Sequence, residues 1–429
     1  WRGGGSGGGG GGGASEASAA MSALLSIDEQ EYLYEVVGLL VGAPWMPVAE
    51  RAAFLEEAVL PLLDKLREGL RRVAHMPADA TEGASEWTVR VLGAIGHLTK
   101  GVKGTADDAL GDLLESVMDA AMAATTTLPG QPSVRSKVYF LFHRMVECMA
   151  PERLVPLLQP SLPIFLEHST LGSLPDFLSL VGRCLSYLGT AMAPIVEAQI
   201  VSIIQRVFDL MPSADAHERS DDAQDRLLLQ KAYFGFIGYV PLYGLAGVLL
   251  TDGVAPYLQE VLETVATGAV TVPDASVRKA CFVTLRYFAD WWLPPGKAGD
   301  ATADVSVTPP LEGDTLAAYL AFVFERAAPA IFETALTPEF SLTDAQCVGV
   351  VTEACALQAL LASRLDGGDG RPDFLAHVVG ELLPRLGAPP EEAARYGDGV
   401  RAHLGSPRQL KAGYIELAKG LRGVAGLPP

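Results

Sequence analysis

The residues of this chain best suited to chemistry are bases. Arg90, Lys137, Arg183, Lys231 and Lys279 recur about 47 residues apart, and three of them open a shared phrase: Lys137-Val138-Tyr139-Phe140, Lys231-Ala232-Tyr233-Phe234 and Lys279-Ala280-Cys281-Phe282. A period of that length belongs to helix-pair repeats of HEAT or armadillo type. The second helices of such an array line one surface, so bases at one repeat position align into a cationic track. A track of this kind neutralises phosphates of a curved RNA without reading sequence, because A-form RNA offers its shape, phosphates and 2′-hydroxyls and hides its major groove.

The same bases have a plainer use as staples between repeats. Pro273-Asp274-Ala275-Ser276-Val277-Arg278-Lys279-Ala280 has the form of a turn and second helix of a HEAT repeat. Asp274 is expected to cap the free N–H groups, and Arg278 to reach an acid of a neighbouring repeat. Arg278 therefore stands beside Lys279 as an RNA candidate and as a structural one. A second basic face is expected near the C-terminus from Arg408, Lys411, Lys419 and Arg422, with Glu416 as the opposing acid. The rings behind the bases, Tyr139, Phe140, Tyr233, Phe234 and Phe282, have helical spacing and are expected in the core, as is the Trp291-Trp292 helix end.

The elements that must position these residues are helices. Prolines at 129, 132, 151, 175, 194, 212, 241 and 256 fall at joints between apolar runs of helical period, and the prolines at 156, 160 and 163 are expected to bend or shorten the helix over 151–167. Helices are predicted over 27–41, 48–73, 87–99, 107–124, 133–149, 151–167, 173–188, 194–211, 224–240, 256–270, 274–292, 315–336, 342–364 and 371–386, with two more to residue 424. The whole reads as an all-α superhelix, a HEAT-repeat solenoid of about eight helix pairs over 23–429. Residues 1–22 are Gly-rich and expected to be disordered, and a start at Trp1, with Met21 available as an internal start, reads as a fragment. An acidic loop over 212–225 carries Asp215, Glu218, Asp221, Asp222 and Asp225, and a Pro/Gly-rich insertion over 293–313 breaks the register.

Composition excludes several classes. Hydrophobic residues make up 49% and aromatics 7%, which suits many helix seams better than a β-sandwich. A net charge of −19 argues against wholesale coating of nucleic acid while leaving room for a local basic stripe. The five scattered cysteines form no C-x-x-C pair, which points to core thiols in a reducing compartment and to no metal site. The seven histidines show no H-E-x-x-H spacing, and neither a nucleophile elbow nor a phosphate loop is present, so no enzyme and no cofactor are expected. Ala232–Thr251 carries no charge over 20 residues, but Pro241 at its middle favours two packed helices over a membrane span.

Several stretches resemble the exportin-T family of the importin-β superfamily. They are Gln30-Glu31-Tyr32-Leu33-Tyr34-Glu35-Val36-Val37-Gly38-Leu39-Leu40, Phe142-His143-Arg144-Met145, Leu228-Leu229-Gln230-Lys231-Ala232-Tyr233-Phe234-Gly235-Phe236, Lys279-Ala280-Cys281-Phe282 and Phe340-Ser341-Leu342-Thr343-Asp344-Ala345-Gln346-Cys347 with Glu353-Ala354-Cys355. Their order matches the C-terminal part of the family over about 27–420. The resemblance implies a nuclear export receptor that binds tRNA cooperatively with Ran-GTP and carries it through the nuclear pore to the cytoplasm. It implies contact with nuclear pore proteins and no membrane insertion, with the chain a monomer shuttling between nucleus and cytoplasm. By the same analogy Asp215, Glu218, Asp221, Asp222 and Asp225 would face a basic patch on Ran. Two other readings stay open: a karyopherin with a protein cargo, and a helical-repeat scaffold without RNA.

Overall fold

Residues 26–75, 82–102, 108–211, 220–295 and 310–427 are described by a computed structural model. The Gly-rich start, Asp215 and Glu218, and the insertion from 296 to 309 lie outside the described residues. All regular structure among the described residues is helical, a helical-repeat array of the expected class. It divides into two compact units, one ending at His168 and the other starting at Ser169.

The first unit holds α1 (Ile27–Val41), α2 (Val48–Val73), α3 (Glu82–Leu98), α4 (Asp108–Thr127), α5 (Pro132–Cys148) and α6 (Pro151–Glu167). They form two layers: α1, α3 and α5 pack side by side, and α2, α4 and α6 lie behind them. Ser26 opens α1 through a capping box with Glu29, in which the Ser26 hydroxyl accepts from the Glu29 amide and the Glu29 carboxylate accepts from the Ser26 amide. Hydrogen bonds from the Ser26 side chain and amide hold the Glu29 carboxyl below the usual carboxylate range. The approach of α1 to α3 is so close that only glycine fits. A Cβ at Gly38 would sit 2.4 Å from the Leu98 carbonyl oxygen, and one at Gly42 would sit 1.8 Å from that of Gly101.

Helix α6 keeps its expected bounds without the expected shortening. Pro156, Pro160 and Pro163 do not shorten it, and it runs unbroken from Pro151 to Glu167. All three prolines are exposed, so the carbonyls they leave without an amide partner open to water. The opposite side buries Leu154, Leu158, Leu162 and Phe165, which hold the helix to its neighbours.

The second unit begins with α7 (Leu174–Leu188), α8 (Ala193–Leu210), α9 (Ser220–Leu242), α10 (Leu258–Thr271) and α11 (Ala275–Trp292). It continues with α12 (Gly313–Phe322), which passes through a π-type turn into α13 (Ala328–Glu333), then α14 (Ala345–Arg364), the short α15 (Phe374–His377) and α16 (Leu383–Arg385), α17 (Pro390–His403) and α18 (Pro407–Val424). Helices α7, α9, α11, α14 and α18 pack in sequence as one layer, and α10 lies behind α11. Asp274 caps α11 as expected, accepting from the amides of Ser276 and Val277, and Asp344 does the same for α14 through Gln346 and Cys347. The Cys347 amide, with Gln346, keeps the Asp344 carboxyl below its ordinary pKa.

Two expectations shift here. Pro241 sits in the last turn of α9, and the chain then enters a 3-10 turn over Ala246–Leu250, not a second α-helix. Part of the segment expected as an acidic loop is helical: α9 starts at Ser220, so Asp221, Asp222 and Asp225 lie in its first turns, where carboxylates complement the helix dipole. Three stretches, Leu174–Leu210, Gly313–Leu336 and Ala345–Arg364, have the length and composition to cross a membrane. Each buries part of its apolar side chains on seams with neighbouring helices, while Tyr187 and Phe208 of the first stay exposed.

Candidate nucleic-acid interface

Each rung of the base ladder stands on a front-layer helix of its unit. In the first unit Arg90 lies on α3 and Lys137 on α5; in the second, Arg183 lies on α7, Lys231 on α9 and Lys279 on α11. The repeat thus places the bases on equivalent helices, as their spacing implies. Their surroundings differ from rung to rung, and that decides which of them have charge to spare.

Lys137 is half-buried and gives its ammonium to Glu31 of α1 at 3.0 Å. The same acids of α1 collect two more bases. His97 lies 3.4 Å from Glu31 and 3.3 Å from Glu35, and Lys100 donates to Glu35. The Lys100 hydrogen bond pulls the Glu35 carboxyl below its ordinary range, against a smaller opposing effect of burial. Lys137 is therefore a tie between α1 and α5.

Arg183 lies over the Tyr187 ring with its guanidinium carbon 5.0 Å from the centroid, a cation–π pair at i, i+4. Lys231 reaches across the layer to Asp274 at 2.8 Å, tying α9 to the cap of α11. Burial acts to raise the Asp274 pKa, but hydrogen bonds from Lys231, Ser276 and the Val277 amide outweigh it and hold the carboxyl below its usual value.

Arg278 corrects an expectation outright. It is 2% exposed and points into the molecule. Its guanidinium donates to the Val272 carbonyl at 2.6 Å, the Thr334 carbonyl at 3.4 Å and the Thr337 hydroxyl at 2.8 Å, and it stacks over Phe340. No acid is among these hydrogen-bond partners; the carboxylate whose charge acts on Arg278 is that of Glu339. Burial pulls the Arg278 pKa down, yet a guanidinium stays charged in proteins, and its Nε and Nη1 donate to carbonyl and hydroxyl oxygens here while Nη2 finds no partner among the described residues. Arg278 is thus removed from the RNA candidates. The adjoining Lys279 is exposed and has no ion pair among the described residues.

The C-terminal face divides in the same way. Arg422 is buried and donates to the carbonyls of Ala335 at 2.6 Å and Thr337 at 3.1 Å, so it too is a staple and leaves the RNA candidates. Lys411 is half-buried near Cys355. Arg408 and Lys419 are exposed, with no ion pair among the described residues, as is Arg90 in the first unit. Four of the ten candidates, Arg90, Lys279, Arg408 and Lys419, therefore combine exposure with uncommitted charge.

The expected aromatic core is largely present. Tyr139, Tyr233, Phe234 and Phe282 are buried, Phe140 is half-buried against His97, and Trp292 is fully enclosed, whereas Trp291 is half-buried and donates to the Pro241 carbonyl. These rings are not available to stack on bases. The five cysteines are all free thiols; burial pushes Cys148, Cys184 and Cys355 up to about 12, so they are inert packing groups. Among the described residues no group of three or more His, Cys, Asp or Glu could hold a metal. Sequence reasoning missed further staples, two of which sit on front-layer helices. Arg144 bonds Glu147 and the Lys100 carbonyl, and Arg364 on α14 bonds Asp290 on α11 at 2.8 Å. Neither follows the 47-residue period, so only the three-dimensional neighbour reveals them.

Comparison with known proteins gives one consistent answer. The family model described as Exportin-T matches residues 11–414. The chain is similar to Exportin-T of Homo sapiens, 24% identical over 375 residues, covering 86% of this chain and 36% of the relative. Exportin-T of Dictyostelium discoideum is 24% identical over 377 residues, covering 84% and 32%. Exportin-T of Arabidopsis thaliana is 20% identical over 419 residues, covering 94% and 40%. The chain thus spans about a third of the length of the curated relatives it matches. With the family model matching almost from end to end, the chain belongs to the exportin-T family.

Proposed function

We propose that this chain is part of a nuclear export receptor that binds tRNA together with Ran-GTP, passes the nuclear pore by contacts with pore proteins, and shuttles between nucleus and cytoplasm. The observation that carries the reading is the family match over residues 11–414. The chemistry supports it through Arg90, Lys279, Arg408 and Lys419, exposed bases with no ion pair among the described residues. Such bases bind phosphates as point charges and give affinity without sequence readout, which suits a carrier of many tRNAs. The mechanism is conformational and not catalytic. Ran-GTP and tRNA would favour the same arrangement of the array, and each would raise the other's affinity by the same factor.

Asp221, Asp222 and Asp225 at the start of α9 are the described members of the acidic segment that would meet a basic patch on Ran. Asp215 and Glu218 complete it in sequence.

The test is charge reversal of Arg90, Lys279, Arg408 and Lys419 to glutamate, with tRNA binding measured across a salt series. Binding should weaken, and the slope of log affinity against log salt should fall by about 0.7 to 0.9 for each phosphate left unneutralised. Helicity and melting should hold, since all four side chains are exposed. Unchanged affinity and slope would overturn the cationic reading.

A further inference from the structure

Helices α17 and α18 form a hairpin with a hollow along its seam. Only residues 404–406 separate the two helices, so they run antiparallel and pack on each other. Tyr396 and Val400 of α17 and Leu410 and Leu417 of α18, all buried, make a common apolar floor. The hollow above that floor has a volume of about 360 Å³. Binding pockets run from about 300 to 1,000 Å³, so this one has room for a few side chains.

A pair of glycines keeps the hollow open. Gly399 on α17 and Gly413 on α18 both line it, and a Cβ added at either would meet no atom within 4 Å. Gly182 and Gly268, by contrast, answer to packing: a Cβ at Gly182 would strike the Tyr239 ring at 2.6 Å, and one at Gly268 would strike the Phe234 ring. Glycine weakens a helix relative to alanine, and at 399 and 413 no neighbour requires it.

Charge is distributed unequally along the groove. Glu392 and Glu416 stand at the end away from the turn, where Glu392 reaches over α18 so far that a Cβ at Gly420 would lie 3.0 Å from its Oε1. Among the described residues Glu416 has no ion pair, and Glu392 has Arg395 at 3.9 Å, whose side chain is 71% exposed. So long and open a contact neutralises little. The turn end offers His403 and Gln409 and no carboxylate, and the exposed bases of α18, Arg408 and Lys419, do not line the groove. An apolar floor takes apolar side chains, and two carboxylates with one loose counter-ion attract a cation. An RNA strand brings the wrong sign to that end.

We propose that the groove between α17 and α18 docks a short segment of a protein partner in which large apolar residues are followed by lysine or arginine. The apolar side chains lie over Tyr396, Val400, Leu410 and Leu417 in the space the glycines leave, and the basic side chain pairs with Glu392 and Glu416. The inference depends on neither RNA nor Ran, so it stands or falls apart from the export reading.

The test is fluorescence anisotropy of labelled peptides titrated with the full chain, Leu-Phe-Leu-Lys-Arg set against Leu-Phe-Leu-Gln-Gln. The basic peptide should bind saturably and more tightly than the neutral one, with an advantage that shrinks as salt rises. Glu392→Gln with Glu416→Gln should lower its affinity about two- to fivefold and leave the neutral peptide unchanged. Gly413→Leu should abolish binding of both peptides while the melting temperature holds or rises, since leucine is the better helix former and has open space to fill. Gly399→Met makes the same test from the other helix, so a disturbed hairpin in one variant does not decide the matter.

Equal affinity for the two peptides, unmoved by the glutamine substitutions, would overturn the proposal by showing an occupant without a cation. No saturable binding to the wild type, or undiminished binding in both folded glycine variants, would show that the groove is not a docking site. Displacement of the peptide by a single-stranded RNA, with RNA binding lost in the glycine variants, would assign the groove to RNA instead.

Discussion

Helices α1 and α11 carry comparable apolar patterns to opposite fates. Helix α11 lies between α9 and α14 with α10 behind it, and Phe282, Leu285, Phe288 and Trp292 are all buried. Helix α1 packs in its own layer against α3 and is tied to α5 through Lys137, turns Glu31 and Glu35 inward, and leaves Leu33, Leu39 and Leu40 outside. In a repeat array the neighbour, more than the residue, decides what is core. Identical chemical changes should therefore weigh very differently on the two helices.

The largest expected effect is on α11. Leu285→Ala removes a side chain that is 1% exposed and should cost about 2–5 kcal/mol in urea unfolding, whereas Leu40→Ala on α1 should stay within about 0.5 kcal/mol. Equal losses at the two sites would break the comparison. Next comes Arg278→Ala, which leaves the Val272 and Thr334 carbonyls without their donor and should cost about 2–4 kcal/mol. Its neighbour, as Lys279→Ala, should be nearly silent in the same assay. A destabilised Lys279 variant would mean that the exposed rung has a partner after all.

Smaller still is the cap. Asp274→Ala should cost about 1 kcal/mol, since the amides of Ser276 and Val277 lose their acceptor. The folded-state pKa of Asp274 is depressed, so its contribution is present above the unfolded carboxylate pKa and is lost as pH falls through the folded value. The wild type and Asp274→Ala should accordingly converge in stability under acid, and a gap that widens on acidification would contradict the role of the charged cap.

How much of this was legible in the sequence depends on the range of each interaction. Helix identity and most boundaries were legible because apolar period, prolines and caps act within a few residues; Asp274 and Asp344 open their helices where the sequence places an aspartate before an apolar run. The base ladder was legible as a register, since Arg90, Lys137, Arg183, Lys231 and Lys279 do fall on equivalent helices. Its division into staples and free charges was not. Arg278 and Lys279 are adjacent, yet a rotation of about 100° sends one into the core and the other to water. The partners that decide the matter lie 56 residues away for Arg278, at Thr334, and 106 residues away for Lys137, at Glu31. The span of α6, 151–167, was legible, but that its three prolines would not shorten it was not, because the face they occupy is fixed only once the buried leucines find their neighbours.

The smallest effect on stability tests the ladder most sharply. Lys231 and Lys279 stand at equivalent rungs, but Lys231 is held 2.8 Å from Asp274 and Lys279 has no acid beside it among the described residues. An exposed pair of this kind contributes about 0–1 kcal/mol, so Lys231→Met should shift unfolding only slightly, and Lys279→Met less. For RNA the order reverses. A phosphate that approaches Lys231 must share it with a carboxylate, and the repulsion from Asp274 offsets part of the attraction at distances inside a Debye length of about 8 Å. Lys279→Met should therefore weaken tRNA binding more than Lys231→Met, and Asp274→Asn should strengthen binding through Lys231 while costing little as a cap, since asparagine also accepts from the helix amides. Titration of tRNA against the three variants at one salt concentration reads this order directly; equal losses at both lysines, or no gain from Asp274→Asn, would show that committed and free rungs do not differ.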